Sequence, residues 1–310
     1  MVSILKRLFF FSIPFFLIAL FIIVVDPYNI INISHAFKDD TKKNCLNRSI
    51  STSPRANLLW KTFEFKKNPS PDIILGDSRM YHINTSKFNN KFGGNYYNFS
   101  IPGANYRTMI DLFWFSAKTI NLKNVYWEMS FNQFSAWNDF NIYPPLEKLS
   151  KNPIYYFINW DYINDSYAVL KTSLKSPPLK ETQSSNARTW EMMRNYSNET
   201  FKKYKYSDKL FNELKQISVY CEKNKINLCF VILPDYFEAK DFLRQYNLGE
   251  YYARFEKDIK SLGMTIDLNK GIPFSFNKNN YSDYYHIRRE ISDTIVEMIS
   301  INKSDSSFRH

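Results

Sequence analysis

Residues 8 to 25, Leu8 through Val25, carry no charge, and Lys6 and Arg7 stand directly before them. As a helix rising 1.5 Å per residue, such a run spans roughly 27 Å, close to the thickness of a bilayer core. A cleavable signal peptide has a shorter apolar region that ends at small residues. This run instead leads into Val24-Val25-Asp26-Pro27, with no small-x-small site. An uncleaved signal anchor over residues 1–26 is therefore expected, and Pro14 is tolerable inside a membrane helix. Lys6 and Arg7 hold the amino end in the cytoplasm, so everything after Asp26 is expected outside it. The chain reads as a single-pass cytoplasmic-membrane protein whose main domain is periplasmic or extracellular.

The remaining residues decide what that domain is. The chain has 310 residues and is 44% apolar, enough for one large domain with insertions or two small ones. Its 7 Gly include no Gly-x-Gly-x-x-Gly and no Gly-x-x-x-x-Gly-Lys, so the common nucleotide-cradling loops are absent. With no Cys-x-x-Cys, no His-Glu-x-x-His and four His in all, neither a metal nor another cofactor is expected. The net charge of +11 admits nucleic acid as a partner, but no basic helix or binding motif supports it. Anionic lipid or an acidic envelope polymer is the simpler reading of that charge. Of the three cysteines, Cys221 and Cys229 either pair or stay as buried thiols, and Cys45 is left over.

Residues 27–70 read as a loose juxtamembrane connection with one short helix around Leu58 to Phe65. Beyond them short apolar strands alternate with amphipathic helices. Ile73 to Leu75 is the first strand, Tyr96 to Ser100 the second, Val125 to Met129 the third, Leu228 to Leu233 the fourth and Thr265 to Leu268 the fifth. Helices are expected over Tyr106 to Ile120, Asp208 to Asn224, Asp241 to Leu262 and Arg288 to Ile299. This alternation argues for an α/β domain, a doubly wound, mainly parallel sheet between helical layers, over residues 71–301. Residues 137–205, rich in Tyr, Trp, Asn and Lys with Pro144-Pro145 and Pro177-Pro178 as breakers, interrupt the rhythm. They read as an inserted helical or irregular cap over the strand ends, since a structureless loop of that length is unusual. The polar tail over residues 302–310 is expected to fray.

The first strand ends in Gly76-Asp77-Ser78, where a small residue lets the backbone turn and leaves a hydroxyl at the strand's carboxyl end. Ligands of open α/β sheets bind at those ends. A serine hydroxyl needs a base to take its proton, and that base needs a third group to fix its tautomer. Asp283-Tyr284-Tyr285-His286 offers both: His286 as the base and Asp283 as its acceptor. The plainer alternative has Asp283 capping the last helix and His286 on the surface. His82, shortly after Ser78, is a second candidate base. Arg79 either contacts an anionic substrate or pairs with an acid on the following helix.

These blocks resemble those of the SGNH (GDSL-type) hydrolase superfamily. Gly76-Asp77-Ser78 matches the first block, with the nucleophile, and Asp283-Tyr284-Tyr285-His286 the last. Asn98-Phe99-Ser100-Ile101-Pro102-Gly103 resembles the second, whose Gly donates a backbone N–H to the oxyanion. Glu128-Met129-Ser130-Phe131-Asn132 stands where the third block, Gly-x-Asn-Asp, would be, and lacks its Gly and second acid. The resemblance implies a three-layer α/β/α fold, a Ser78-His286-Asp283 triad, and an oxyanion site from the N–H groups of Ser78 and Gly103 and the Asn132 amide. Ser130 is the alternative to Asn132, and a plain turn role for Asn132 stands beside both.

The layout is also similar to membrane-anchored SGNH-like proteins of alginate acetylation and teichoic-acid D-alanylation, which work beside a membrane-bound O-acyltransferase. The resemblance implies serine-dependent acyl-ester chemistry outside the cytoplasm, most directly O-acyl transfer of acetyl type to an envelope polysaccharide or other acylated glycan. The alternatives are a carbohydrate esterase, deacetylase or lipase-like hydrolase, and a non-catalytic polymer-binding scaffold. Tyr and Trp of the insertion serve either as flat surfaces for sugar rings or as its own core.

Overall fold

The computed structural model describes residues 2–48, 53–140, 144–174 and 186–307. Asp72-Ile73-Ile74-Leu75 is buried along its whole length, as a strand covered on both faces must be. It forms β1 (Asp72–Leu75), followed by β2 (Tyr96–Asn98), β3 (Asn124–Met129), β4 (Asn227–Ile232) and β5 (Met264–Asp267). All pairings are parallel, in the order β2-β1-β3-β4-β5. Ile73 pairs with Tyr97 on one side and Val125 on the other. The chain first winds outward from β1 to β2 and then crosses back to β3. The carboxyl end of β1 thus lies where the winding reverses, the crevice in which doubly wound sheets bind their ligands.

Side chains alternate across the sheet. Ile74, Tyr96, Tyr126, Cys229, Val231 and Ile266 face helices Thr85–Phe92 and Ser292–Ser307, meeting Phe88, Ile295, Val296 and Ile299. On the other face Trp127 stacks on Phe113 of helix Tyr106–Thr119, which packs beside helix Asp208–Lys223. Helices start where side chains can take the orphan N–H groups. Asn84 accepts from Lys87 N (3.0 Å), Asn105 from Thr108 N (3.1 Å) and Ser207 from Leu210 N (3.2 Å). The three cysteines form no disulfide: Cys229 sits in the cluster on the first face, while Cys221 belongs to helix Asp208–Lys223.

Several boundaries differ from the sequence expectation. The single helix expected over Asp241 to Leu262 is two, Ala239–Gln245 and Gly249–Leu262. Asn247 takes φ 53°, the left-handed region that asparagine tolerates, and Leu248 N bonds back to Leu243 O at 2.9 Å. The last helix starts later and runs longer than expected, Ser292–Ser307 after a short turn at Arg289–Ile291. Residues 302–307 of the tail are thus helical, and 308–310 lie outside the described residues.

The chain divides into two compact units, Asn68–Asn141 with Thr182–His310 (the α/β unit above) and Met1–Lys67 with Ile142–Glu181. The stretch expected as one insertion, residues 137–205, is therefore split between them, and its Pro177-Pro178 lies outside the described residues. The juxtamembrane connection is not loose. It forms helices Asp39–Arg48 and Ser53–Lys67, which build a core with Pro144–Lys151, Tyr155–Ile158 and Trp160–Leu174. Leu46, Leu59, Trp60, Leu146, Tyr156, Tyr162 and Val169 fill that core, joined by Ile22 and Val25 from the end of helix Val2–Val25. The run Lys6–Val25 is long and apolar enough to cross a membrane, with a mean hydropathy of 3.0 and 11% of it buried.

Candidate active site

Ser78 begins a one-turn helix, Ser78–Tyr81, directly after β1. Gly76 is required at the turn: a Cβ there would come within 2.8 Å of Met80 Cβ and 2.9 Å of Glu128 Oε2. Asp77 caps the helix, its Oδ1 accepting from Arg79 N at 2.8 Å. From β2, Asn98 Nδ2 donates to Met80 O at 3.0 Å and ties down the other end of that turn.

His286 arrives from the far end of the chain. Tyr281 and Ile287 form an isolated antiparallel bridge, and Ser282 N donates to His286 O at 2.9 Å. This narrow loop holds Asp283 and His286. Ser78 Oγ lies 2.6 Å from His286 Nε2, and His286 Nδ1 lies 2.8 Å from Asp283 Oδ2. Asp283 Oδ1 also accepts from the backbone N–H of Tyr285 (2.9 Å) and of His286 (3.0 Å). Burial opposes charge on Asp283, yet the hydrogen bond from His286, its charge and those two N–H groups hold the carboxyl below its ordinary value. Burial likewise disfavours the imidazolium, but Asp283 prevails and lifts His286 above its ordinary 6.5. The order serine, imidazole, carboxylate is that of a nucleophile, its base and the group orienting the base.

Oxyanion donors would have to converge on the same cleft. Ile101-Pro102-Gly103-Ala104 is a turn closed by Ala104 N to Ile101 O at 2.9 Å, with Gly103 at φ 77°. That places proline and glycine where a type II turn needs them, and glycine alone holds that φ without strain. Asn132 follows β3, and its Oδ1 accepts from the Ser130 hydroxyl. The Nδ2 group is thereby left as the donor facing the cleft, and Ser130 orients it rather than replacing it. Among the described residues, neither the Ser78 N–H, the Gly103 N–H nor the Asn132 Nδ2 has an acceptor. A cleft of about 220 Å³ is lined by Asp77, Ser78, Arg79, Gly103, Asn132 and His286, with Gln133, Met193, Tyr196 and Tyr285 completing it.

Arg79 lines the cleft and is also ion-paired, though not with the acid that the sequence suggested. Its partners are the strand-end acids Asp77, Glu128 and Asp235, not one on the following helix, and its side chain is 4% exposed. Glu128 also accepts from Asp77 N (2.9 Å), and Gln133 Nε2 donates to Asp77 Oδ2. These bonds brace the turn carrying Ser78 to β3 and to the end of β4. Burial pushes the Asp235 carboxyl up to about 6, against the pull of Arg79 and the Asn269 amide. A glutamate inside the apolar strand Val-Tyr-Trp-Glu-Met was the available sequence signal for this brace, because buried charge needs partners. Met193 and Tyr196 reach the cleft from helix Asn186–Lys202; Tyr196 is one of the aromatic residues of the 137–205 stretch, whereas no sequence signal singled out Met193. His82 ends the Ser78–Tyr81 helix, edge-on to Tyr81, and is not among the residues lining the cleft.

No family model matches the sequence, and no curated protein matches it. Among solved structures, the chain is similar to a Streptococcus pneumoniae protein provisionally described as a platelet activating factor. That likeness has a TM-score of 0.44 and 9% identity, over 87% of this chain and 99% of the other. At such a score it supports no conclusion about fold or activity, which leaves the cleft's own geometry to carry the functional reading.

Proposed function

We propose that this chain is a membrane-tethered serine acyl-ester enzyme of SGNH type, working outside the cytoplasm by O-acyl transfer to an envelope glycan. The observation that carries this reading is the continuous chain Ser78 Oγ, His286 and Asp283, with contacts of 2.6 and 2.8 Å. His286 Nε2 takes the Ser78 proton as Oγ attacks the acyl carbonyl. The carbonyl oxygen becomes an oxyanion facing the N–H groups of Ser78 and Gly103 and the Asn132 amide, one such donor being worth about 3 kcal/mol. The C–O bond to the donor alcohol breaks, His286 returns the proton to that alcohol, and the acyl group stays on Ser78. A sugar hydroxyl then gives its proton to His286 and attacks in turn, which regenerates Ser78.

The cleft's size suits a small acyl group, since pockets enclosing drug-sized ligands occupy about 300–1,000 Å³. Tyr196 and Met193 on its wall offer an apolar rest for a sugar ring. The apolar run Leu8–Val25 with Lys6 and Arg7 before it supports a signal anchor with its amino end inside. A membrane-bound O-acyltransferase is the class of partner that would supply the acyl group there. Hydrolysis is the second reading: the His286 side chain is 31% exposed, so water reaches the same base.

The test is labelling of the full chain in detergent by a serine-directed fluorophosphonate. Wild type is expected to label and Ser78→Ala to lose labelling at an unchanged melting temperature. Absence of Ser78-dependent labelling overturns the enzymatic reading and leaves a scaffold. Acylated p-nitrophenol supplied with and without oligosaccharide acceptors then separates transfer from hydrolysis.

A further inference from the structure

The helical unit buries its core well, yet it leaves several large apolar side chains in solvent, and three of them follow one another along one short stretch. Ile154 is 59% exposed, Ile158 57% and Trp160 70%. Ile154 and Ile158 stand four apart around the one-turn helix Tyr155–Ile158 and share a face. Tyr156, between them, points the opposite way into the core, where its hydroxyl donates to Asp26 Oδ1 at 2.9 Å. Asp26 is the residue that follows the apolar helix, and Tyr155–Ile158 packs directly against that helix, as does Trp160–Leu174. Tyr156 and Tyr162 share one buried cluster with Ile22 and Val25 of the apolar helix's last turn. Asp26 is itself locked, accepting the backbone N–H groups of Ile30, Ile31 and Asn32 at 2.9, 3.0 and 2.6 Å. The exposed isoleucines and tryptophan are therefore held at the level where the apolar helix ends.

We infer that Ile154, Ile158 and Trp160 form an interfacial foot that enters the outer leaflet at the headgroup–acyl boundary, beside the exit of the membrane helix. Continuity with that helix is what identifies a lipid surface as the occupant. The composition agrees: tryptophan and tyrosine favour that depth, and Lys148, whose Nζ lies 6.0 Å from the Tyr155 ring centre, supplies a cation for anionic headgroups. A foot beside the exit adds a second point of attachment, so the unit is set on the bilayer instead of swinging on a single helix. The inference rests on the reading of Lys6–Val25 as membrane-crossing, and its test separates the two.

The full chain is reconstituted in phosphatidylcholine–phosphatidylglycerol nanodiscs with an NBD fluorophore on Ile158→Cys, on Trp160→Cys or, as the anchor reporter, on Phe16→Cys. The native cysteines are buried, and burial pushes the Cys221 and Cys229 thiols up to about 12, so they stay unlabelled near neutral pH. Shallow nitroxide lipid is expected to quench more than half of the emission at 158 and 160, with a blue shift and protection from aqueous iodide. Deep nitroxide lipid is expected to quench position 16. Quenching at 16 combined with iodide access at 158 and 160 overturns the foot and leaves the anchor standing. Protection of 158 and 160 from both quenchers means that protein covers them, which also overturns it. No lipid quenching at 16 removes the anchor and the foot together. Because the replaced side chains are exposed, all three variants are expected to keep the wild-type melting temperature.

Discussion

Asp165 in the helical unit and Asp283 in the α/β unit are both buried carboxylates, but they serve different ends. In the helical unit the buried Asp165 is met from two sides: the Tyr28 hydroxyl donates to its Oδ2 at 2.5 Å, and Arg55 Nη2 reaches the same carboxylate at 2.8 Å. Asp26 takes three backbone N–H groups and the Tyr156 hydroxyl. In the α/β unit the carboxylate Asp283 is equally buried, at 3% exposure, but it is spent on an imidazole that faces a cleft. Three donors around that cleft have no acceptor among the described residues. Ser78 and Asn132 are half-buried and Gly103 is exposed, so these donors stand open to whatever enters the cleft. A carboxylate closed in by other protein groups reads as structure, and one whose chain of contacts ends at an open cleft reads as a place that a ligand's charge can enter.

This contrast can be broken by substitution, and Asp283→Asn should have the largest effect. It leaves Ser78 and His286 in place but removes the group that fixes the tautomer, so fluorophosphonate labelling should slow by about 10⁴-fold. The base works only as neutral imidazole, so labelling by wild type falls as the pH drops through a His286 pKa that Asp283 holds above 6.5. Removing the carboxylate lowers that pKa, and the acid limb should move to lower pH. A limb that stays put would show that Asp283 does not act on His286. Asn132→Ala comes next, with a loss of about 10²–10³-fold in turnover and an unchanged melting temperature. A variant that melts early without losing turnover would make Asn132 a turn residue.

Asp165→Ala sharpens the contrast from the other side. It leaves the Tyr28 hydroxyl unanswered and Arg55 with only the 3.9 Å contact to Asp161, so the protein should lose about 3 kcal/mol of stability in chemical denaturation. The labelling rate at Ser78 should not change while the protein stays folded. A rate that falls with Asp165→Ala would mean that the helical unit's network serves the cleft.

How much of this was legible beforehand depends on the range of the interaction. Each of the five strands lies within two or three residues of its expected place, because an apolar run between turn residues is a local signal. Ser78, Asp283 and His286 stood out in two short blocks, and the structure brings the serine and the imidazole together across 208 positions. The split of residues 137–205 between two units was not readable, since Tyr and Trp suit either a core or a surface. Nor was the break at Asn247, where a left-handed residue and one backbone bond interrupt a helical pattern that continues on both sides.

The sequence by itself determined which segments could be strands, that Leu8–Val25 is apolar enough for a bilayer, and which three side chains were chemically fit to act together. Tertiary structure alone decided that Arg79 is committed to Asp77, Glu128 and Asp235, that the Ser130 hydroxyl aims the Asn132 amide, and that Tyr156 brings an exposed apolar turn to the end of the apolar helix. The physical reason is that strand and helix preferences are summed over neighbours in the chain. A buried charge or hydroxyl instead chooses its partner from whatever the fold places within about 3 Å of it.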